Sequence, residues 1–206
     1  KYPFLVGSGR TLWSFVIRTE KRKQGTMAEF DKLLRTFSKK GARWEALNRF
    51  FFTPKPTHNS IDIKFEVLRE LGGTTLGRII AKGLGEQLHE LVFARHPSPK
   101  EVKQVIDMIG LKRFMHTIGY CESNALGGLF FAIRSENVGK FLRALNSEDR
   151  IRMAINEAGW HRLGRAIEHY GPEQVAHAIN NDLDVINRIR KDQPLTLKRG
   201  SDPSLN

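Results

Sequence analysis

Cysteine is nearly missing from this chain, since Cys121 is alone among 206 residues. One thiol forms no internal disulfide and no all-cysteine metal site, so a reducing compartment is compatible with it: cytoplasmic, or a host cytosol after secretion. No apolar run reaches the ~18 residues that a spanning helix needs. Period-2 alternation flanked by hairpin signals is also missing, which excludes a sheet as the scaffold. Acidic residues are scarce at the front: residues 1–55 hold thirteen Lys or Arg against Glu20, Glu29, Asp31 and Glu45. The chain opens on Lys1 rather than Met, as a piece of a longer protein would.

What is present is globular. Hydrophobic residues make up 40% and charged residues 27%, which suffices for one or two domains with a core and argues against disorder. The net charge of +12 is uneven, because the acid-poor front carries +9 of it and the remainder only +3. A field of that kind attracts nucleic acid, acidic lipid headgroups or an acidic protein surface, and it also keeps a protein soluble.

Helical patterns run nearly throughout. Met27 to Lys40 carries Phe30, Leu33, Leu34 and Phe37 at i, i+3, i+4, i+7, with Lys32, Arg35 and Lys39 opposite. Ala42 to Phe52 is a second helix, and Pro54 and Pro56 stop it and suggest a boundary. Ser60 opens a helix to Leu71, and Thr74 or Thr75 opens a longer one to about Ala94 with Leu84, Leu88, Leu91 and Val92 buried. Ser98-Pro99 with Glu101 is a strong start signal for Lys100 to Ile109, and a helix over Leu111 to Ile118 follows. Beyond Asn124, short helices alternate with tight turns, and Asn180-Asn181-Asp182 separates two of them.

One phrase recurs in this second half. Ser135-Glu136, Ser147-Glu148 and Pro172-Glu173 each open an apolar pattern, supplying a capping oxygen or a preset φ and a negative charge near the helix N-terminus. Val138-Gly139-Lys140 rhymes with Leu163-Gly164-Arg165 and with Leu76-Gly77-Arg78. Recurrence of this kind marks stacked helices that bury a core between neighbours. Each interior glycine costs about 1 kcal/mol against alanine, so Gly77, Gly83, Gly85, Gly127, Gly128, Gly139 and Gly164 call for close helix approach or hidden helix ends. The fold expected is all-α: a basic helical N-terminal subdomain over 1–55, a helical-repeat body over 60–190, and a loose tail over 191–206.

Catalytic signals are thin. His89 and His96 stand seven apart, whereas a zinc-protease helix needs i+4. Glu157, His161, Glu168 and His169 are the least implausible acid/base cluster, and helix-face solvation explains them as simply. Asp182 and Asp184 are too few to specify a cation. Gly7-Ser8-Gly9-Arg10 lacks the rest of either phosphate-loop pattern. No enzyme activity and no cofactor is expected. A candidate anion- or partner-binding set gathers instead at the front: Lys21, Arg22, Lys23, Lys32, Arg35, Lys39, Arg43, Trp44 and Arg49. Cations for phosphates interleaved with Trp13, Trp44 and Phe50-Phe51-Phe52 suit single-stranded nucleic acid or a membrane surface, while core packing of the same rings is the simpler account.

Leu142 to Arg150, followed by Gly159-Trp160-His161-Arg162-Leu163, resembles degenerate helical repeats of secreted effectors of intracellular bacteria. The likeness covers the last third of the chain and departs in spacing, with offsets of 12, 24, 25 and 37 residues between the phrases. It implies an interaction module that grips a protein partner in a host cell, and it transfers no site residue. Nucleic acid or an anionic lipid surface, bound through residues 18–55, is the alternative partner.

Overall fold

The computed structural model describes residues 24–41, 44–52, 58–94 and 97–195, which hold thirteen helices and no strand. The chain divides into two compact units, residues 1–81 and 82–206. Lys21, Arg22, Lys23 and Arg43 lie outside the described residues, as do Gly7 to Arg10, the proline segment 53–57 and residues 196–206.

In the first unit, α1 (Gln24–Lys39), α2 (Trp44–Phe52), α3 (His58–Leu71) and α4 (Gly73–Ala81) pack around the expected stripe of α1. Phe30, Leu33 and Phe37 are wholly buried and Leu34 nearly so. Helices on both sides of the proline segment belong to this one unit, and the division falls after Ala81. Close approach explains two glycines. A Cβ on Gly73 would lie 1.8 Å from the Glu29 carbonyl oxygen, and one on Gly77 would lie 3.0 Å from Thr36 Cβ. Glu29 completes the junction, because its Oε2 accepts the Gly73 N–H at 2.6 Å and so places a carboxylate at the first turn of α4.

The single helix expected from Thr74 to Ala94 is two. Gly83 takes φ +77, a left-handed geometry that ends α4, and α5 (Gly85–Ala94) begins afresh. The second unit continues through α6 (Pro99–Ile109), α7 (Leu111–Tyr120), α8 (Ser123–Ala132), α9 (Ser135–Ala144), α10 (Glu148–Ala158), α11 (Trp160–Tyr170), α12 (Pro172–Asn181) and α13 (Asp184–Arg190). Its packing is periodic. α8 lies between α5 and α11, α9 between α6 and α12, and α10 between α7 and α13. The first set begins at residues 85, 123 and 160, the second at 99, 135 and 172, and the third at 111, 148 and 184, an advance of 36 to 38 residues each time. The helical-repeat body is therefore three groups of three helices, each group stacked on the one before.

The start signals act in different ways. Ser98 forms a capping box: its hydroxyl accepts the Glu101 N–H, and Glu101 accepts the Ser98 N–H at 2.7 Å. Ser147 caps α10 by accepting the Arg150 N–H. Ser135 does not cap. It is the first residue inside α9, and its hydroxyl donates to Gln104 Oε1 at 2.7 Å, tying α9 to α6. The tail also differs from expectation over its described part, since Leu195 is buried and its N–H donates to the Tyr170 hydroxyl at 3.3 Å.

Candidate interaction surface

Among the front-end candidates, Lys32, Arg35 and Lys39 share the exposed side of α1, and Arg49 is exposed on α2. They are unequal. Lys32 Nζ donates to Glu29 Oε1 at 2.6 Å, and that ion pair serves the α1–α4 junction. Its hydrogen bond, followed by the one from Gly73, holds the Glu29 carboxyl below the usual carboxylate range. Trp44 opens α2 with its ring centroid 5.4 Å from that of Phe37, and 41% of it remains exposed. Phe50 and Phe51 both enter the core, edge to face at 5.1 Å. Buried beside them is Lys64, whose Nζ donates to the Phe51 carbonyl near the C-terminus of α2, where a cation suits the dipole. Burial lowers its ammonium pKa. The front end thus divides its aromatics: two Phe go to the core, and Trp44 stays half in solvent beside the cations of α1.

A surface that periodicity did not point to lies in the second unit. Phe130 and Phe131 are adjacent on α8, so they face ~100° apart and cannot share the buried side. Phe130 is buried, while Phe131 is 77% exposed, the most exposed large hydrophobic among the described residues. Its ring stands edge-on to Trp160 at 6.4 Å and 84°. The indole in turn rests on Gly128, where an added Cβ would come within 2.5 Å of it. His161 stacks on Trp160 at 3.4 Å, and Arg134 and Arg162 are exposed nearby in sequence. Phe131 is therefore presented by a supported aromatic stack, bordered by cations, at the α8–α11 contact. The adjacent Phe-Phe pair was the signal in the sequence.

The acid/base candidates do not converge. His161 and His169 are eight residues apart on α11, an axial separation of ~12 Å at 1.5 Å per residue. Asp182 is a backbone ligand: its Oδ1 accepts the Asp184 N–H at 2.9 Å at the start of α13. Among the described residues no group of three His, Cys, Asp or Glu is placed to hold a metal, and no helix is long and apolar enough to cross a membrane. Cys121 is buried, and that burial pushes its thiol up to about 12.

Four side chains hold successive repeats in register. Asn156 of α10 accepts the Glu122 N–H and donates to the Tyr120 carbonyl, bracketing the α7–α8 junction. Asn180 of α12 does the same to Asn146 and Ala144 at the α9–α10 junction. Arg113 and Arg150, each the third residue of its helix, donate to the Leu145 and Ile179 carbonyls at the C-terminal ends of α9 and α12. Burial lowers the Arg113 guanidinium pKa, and Glu148 opposes that shift.

No protein-family model, no curated protein and no solved structure matches this chain.

Proposed function

We propose that this protein is a non-enzymatic interaction module whose helical-repeat unit grips a protein partner. The observation that carries this reading is Phe131, held out by Trp160 and 77% exposed. Covering such a ring contributes about 1.5–3 kcal/mol, and aromatic anchors flanked by arginine are where interface energy concentrates. The likeness of residues 142–167 to effector repeats supports host machinery as the source of that partner. A tagged chain, incubated with host-cell lysate, should retain a saturable partner that Phe131→Ser releases while the melting curve stays unchanged. Equal retention by the variant would overturn the reading.

A second reading rests on α1 and α2, where Lys32, Arg35, Lys39 and Arg49 stand exposed with Trp44 among them. This face would bind single-stranded nucleic acid or an anionic bilayer, cations on phosphates and indole on a base or at the interface. A fluorescent oligonucleotide, and liposomes containing phosphatidylserine, test it. Binding should fall steeply between 50 and 200 mM salt, as counterion release requires, and vanish when Lys32, Arg35 and Lys39 become glutamate. Salt-independent binding, or none at 50 mM, removes it.

A further inference from the structure

The last helix of the first set, α11, keeps an outer face with no helix stacked on it, and the preceding repeat shows what such a face does. On α8, Gly128 receives the Trp160 ring, and Ala132 lies where a Cβ on Gly164 would come within 2.7 Å. Aligning helix starts at 123 and 160 carries Gly128 onto Arg165 and Ala132 onto His169. The same register carries Ala125 onto Arg162 and Leu129 onto Ala166. These four residues of α11 all line one open cavity of about 660 Å³, whose far wall is the strap from Asp192 to Leu195. The cavity therefore lies on the part of α11 that, one repeat earlier, receives a helix.

Its chemistry has changed from small and apolar to cationic. Arg162, Arg165 and His169 form one stripe at i, i+3, i+7. Arg165 pairs with Asp192 at 3.0 Å, and that aspartate takes φ +58 as the strap turns. Arg162 is exposed and has no ion pair among the described residues. Glu168 is the one further acid on the lining, and Ala166, Ile189 and Leu195 supply apolar surface between the charges. Neighbouring helices pack 8–10 Å apart, so a helix laid here would bring its side chains onto this stripe.

We infer that this cavity is a seat for an amphipathic helix of a partner protein, one that meets Arg162 and Arg165 with carboxylates and Ala166 and Leu195 with an apolar side chain. Charge complementarity and continuity with the α5–α8–α11 stack select that occupant. The inference rests on the interaction-module reading and names the partner's chemistry. A polar outer face also ends a repeat array in solution, and an experiment separates the two roles.

The full chain is used to select from a displayed library of helical peptides of about 16 residues, long enough for the ~24 Å that such a helix covers. Enriched peptides should carry Asp or Glu one turn apart, and the double variant Arg162→Glu, Arg165→Glu should weaken them at least about tenfold, or ~1.4 kcal/mol. Arg162→Lys should retain part of the affinity, and Phe131→Ser should leave it unchanged. Thermal melts show whether each variant folds, and His169→Ser offers a milder change at the same stripe. Peptides that bind but ignore both arginine reversal and His169→Ser overturn the seat and leave the module reading standing. No enrichment at all overturns the seat, while the module reading then falls only if Phe131→Ser also keeps its partner. Self-association abolished by the arginine reversal would assign the face to a second copy and contradict an acidic partner helix.

Discussion

Glu29 shows how much a single side chain decides in the first unit. Its carboxylate answers Lys32 on its own helix and the first N–H of α4, both at 2.6 Å. The folded-state pKa is lowered, chiefly by Lys32 and then by Gly73. The stability it contributes is therefore complete above the unfolded value near 4.3 and is lost as pH falls through the lowered folded value. Glu29→Gln should destabilise this unit by about 1 kcal/mol at neutral pH and flatten the acid limb of its stability curve. Urea melts between pH 2 and 6 measure both effects. Cys121 makes the opposite case, a group removed from chemistry. With the thiol buried and raised to about 12, the folded protein should react with a disulfide reagent at pH 8 only as fast as it opens. Rapid labelling without denaturant would contradict its burial.

Elements built on one strong stripe were legible in advance. Phe30, Leu33, Leu34 and Phe37 defined α1, Ser98 with Glu101 defined the start of α6, and Leu163 and Ile167 fell in the core of α11 as their spacing required. The break between α4 and α5 was hidden because Gly83 stands inside a pattern whose apolar positions continue across it; only its left-handed φ ends the helix. Ser135 looked like a cap because residue type and position matched, yet Gln104 from a helix 31 residues earlier takes its hydroxyl. The three-helix period escaped because the matching phrases compared helices from different sets, which gave offsets of 12 and 25 beside 37. The Asn156 and Asn180 brackets are contacts at separations of 34 and 36 residues that no local pattern carries. Asn156→Ala, which leaves the Glu122 N–H and Tyr120 carbonyl without their partner, should cost about 1–3 kcal/mol. Gly128→Ala should cost a similar 1–3 kcal/mol, by driving a methyl into the Trp160 ring. Chemical denaturation of each variant checks these values, and a neutral result at both would mean that α8 and α11 do not meet as described.

At the scale of the molecule, the two units divide the properties that the sequence displayed together. The first carries the acid-poor, basic stretch and a core of phenylalanines around α1. The second holds the repeats, the inter-repeat ties and the supported aromatic Phe131. Unit 82–206 has its own dense internal packing. Expressed alone, it should give a helical circular dichroism spectrum and a cooperative melt; a broad, non-cooperative transition would show that it depends on residues before Lys82. The anionic-surface reading belongs to the first unit and the protein-partner reading to the second, so variants of one should leave the other's binding intact.

The most direct test of the central claim is quantitative capture of a host-cell protein by the full chain and by Phe131→Ser, with matched thermal melts. Retention by the wild-type chain and loss from an equally stable Phe131→Ser protein is the predicted result. Identical capture by both would show that the supported aromatic on α8 is not where this molecule binds, and would contradict the account.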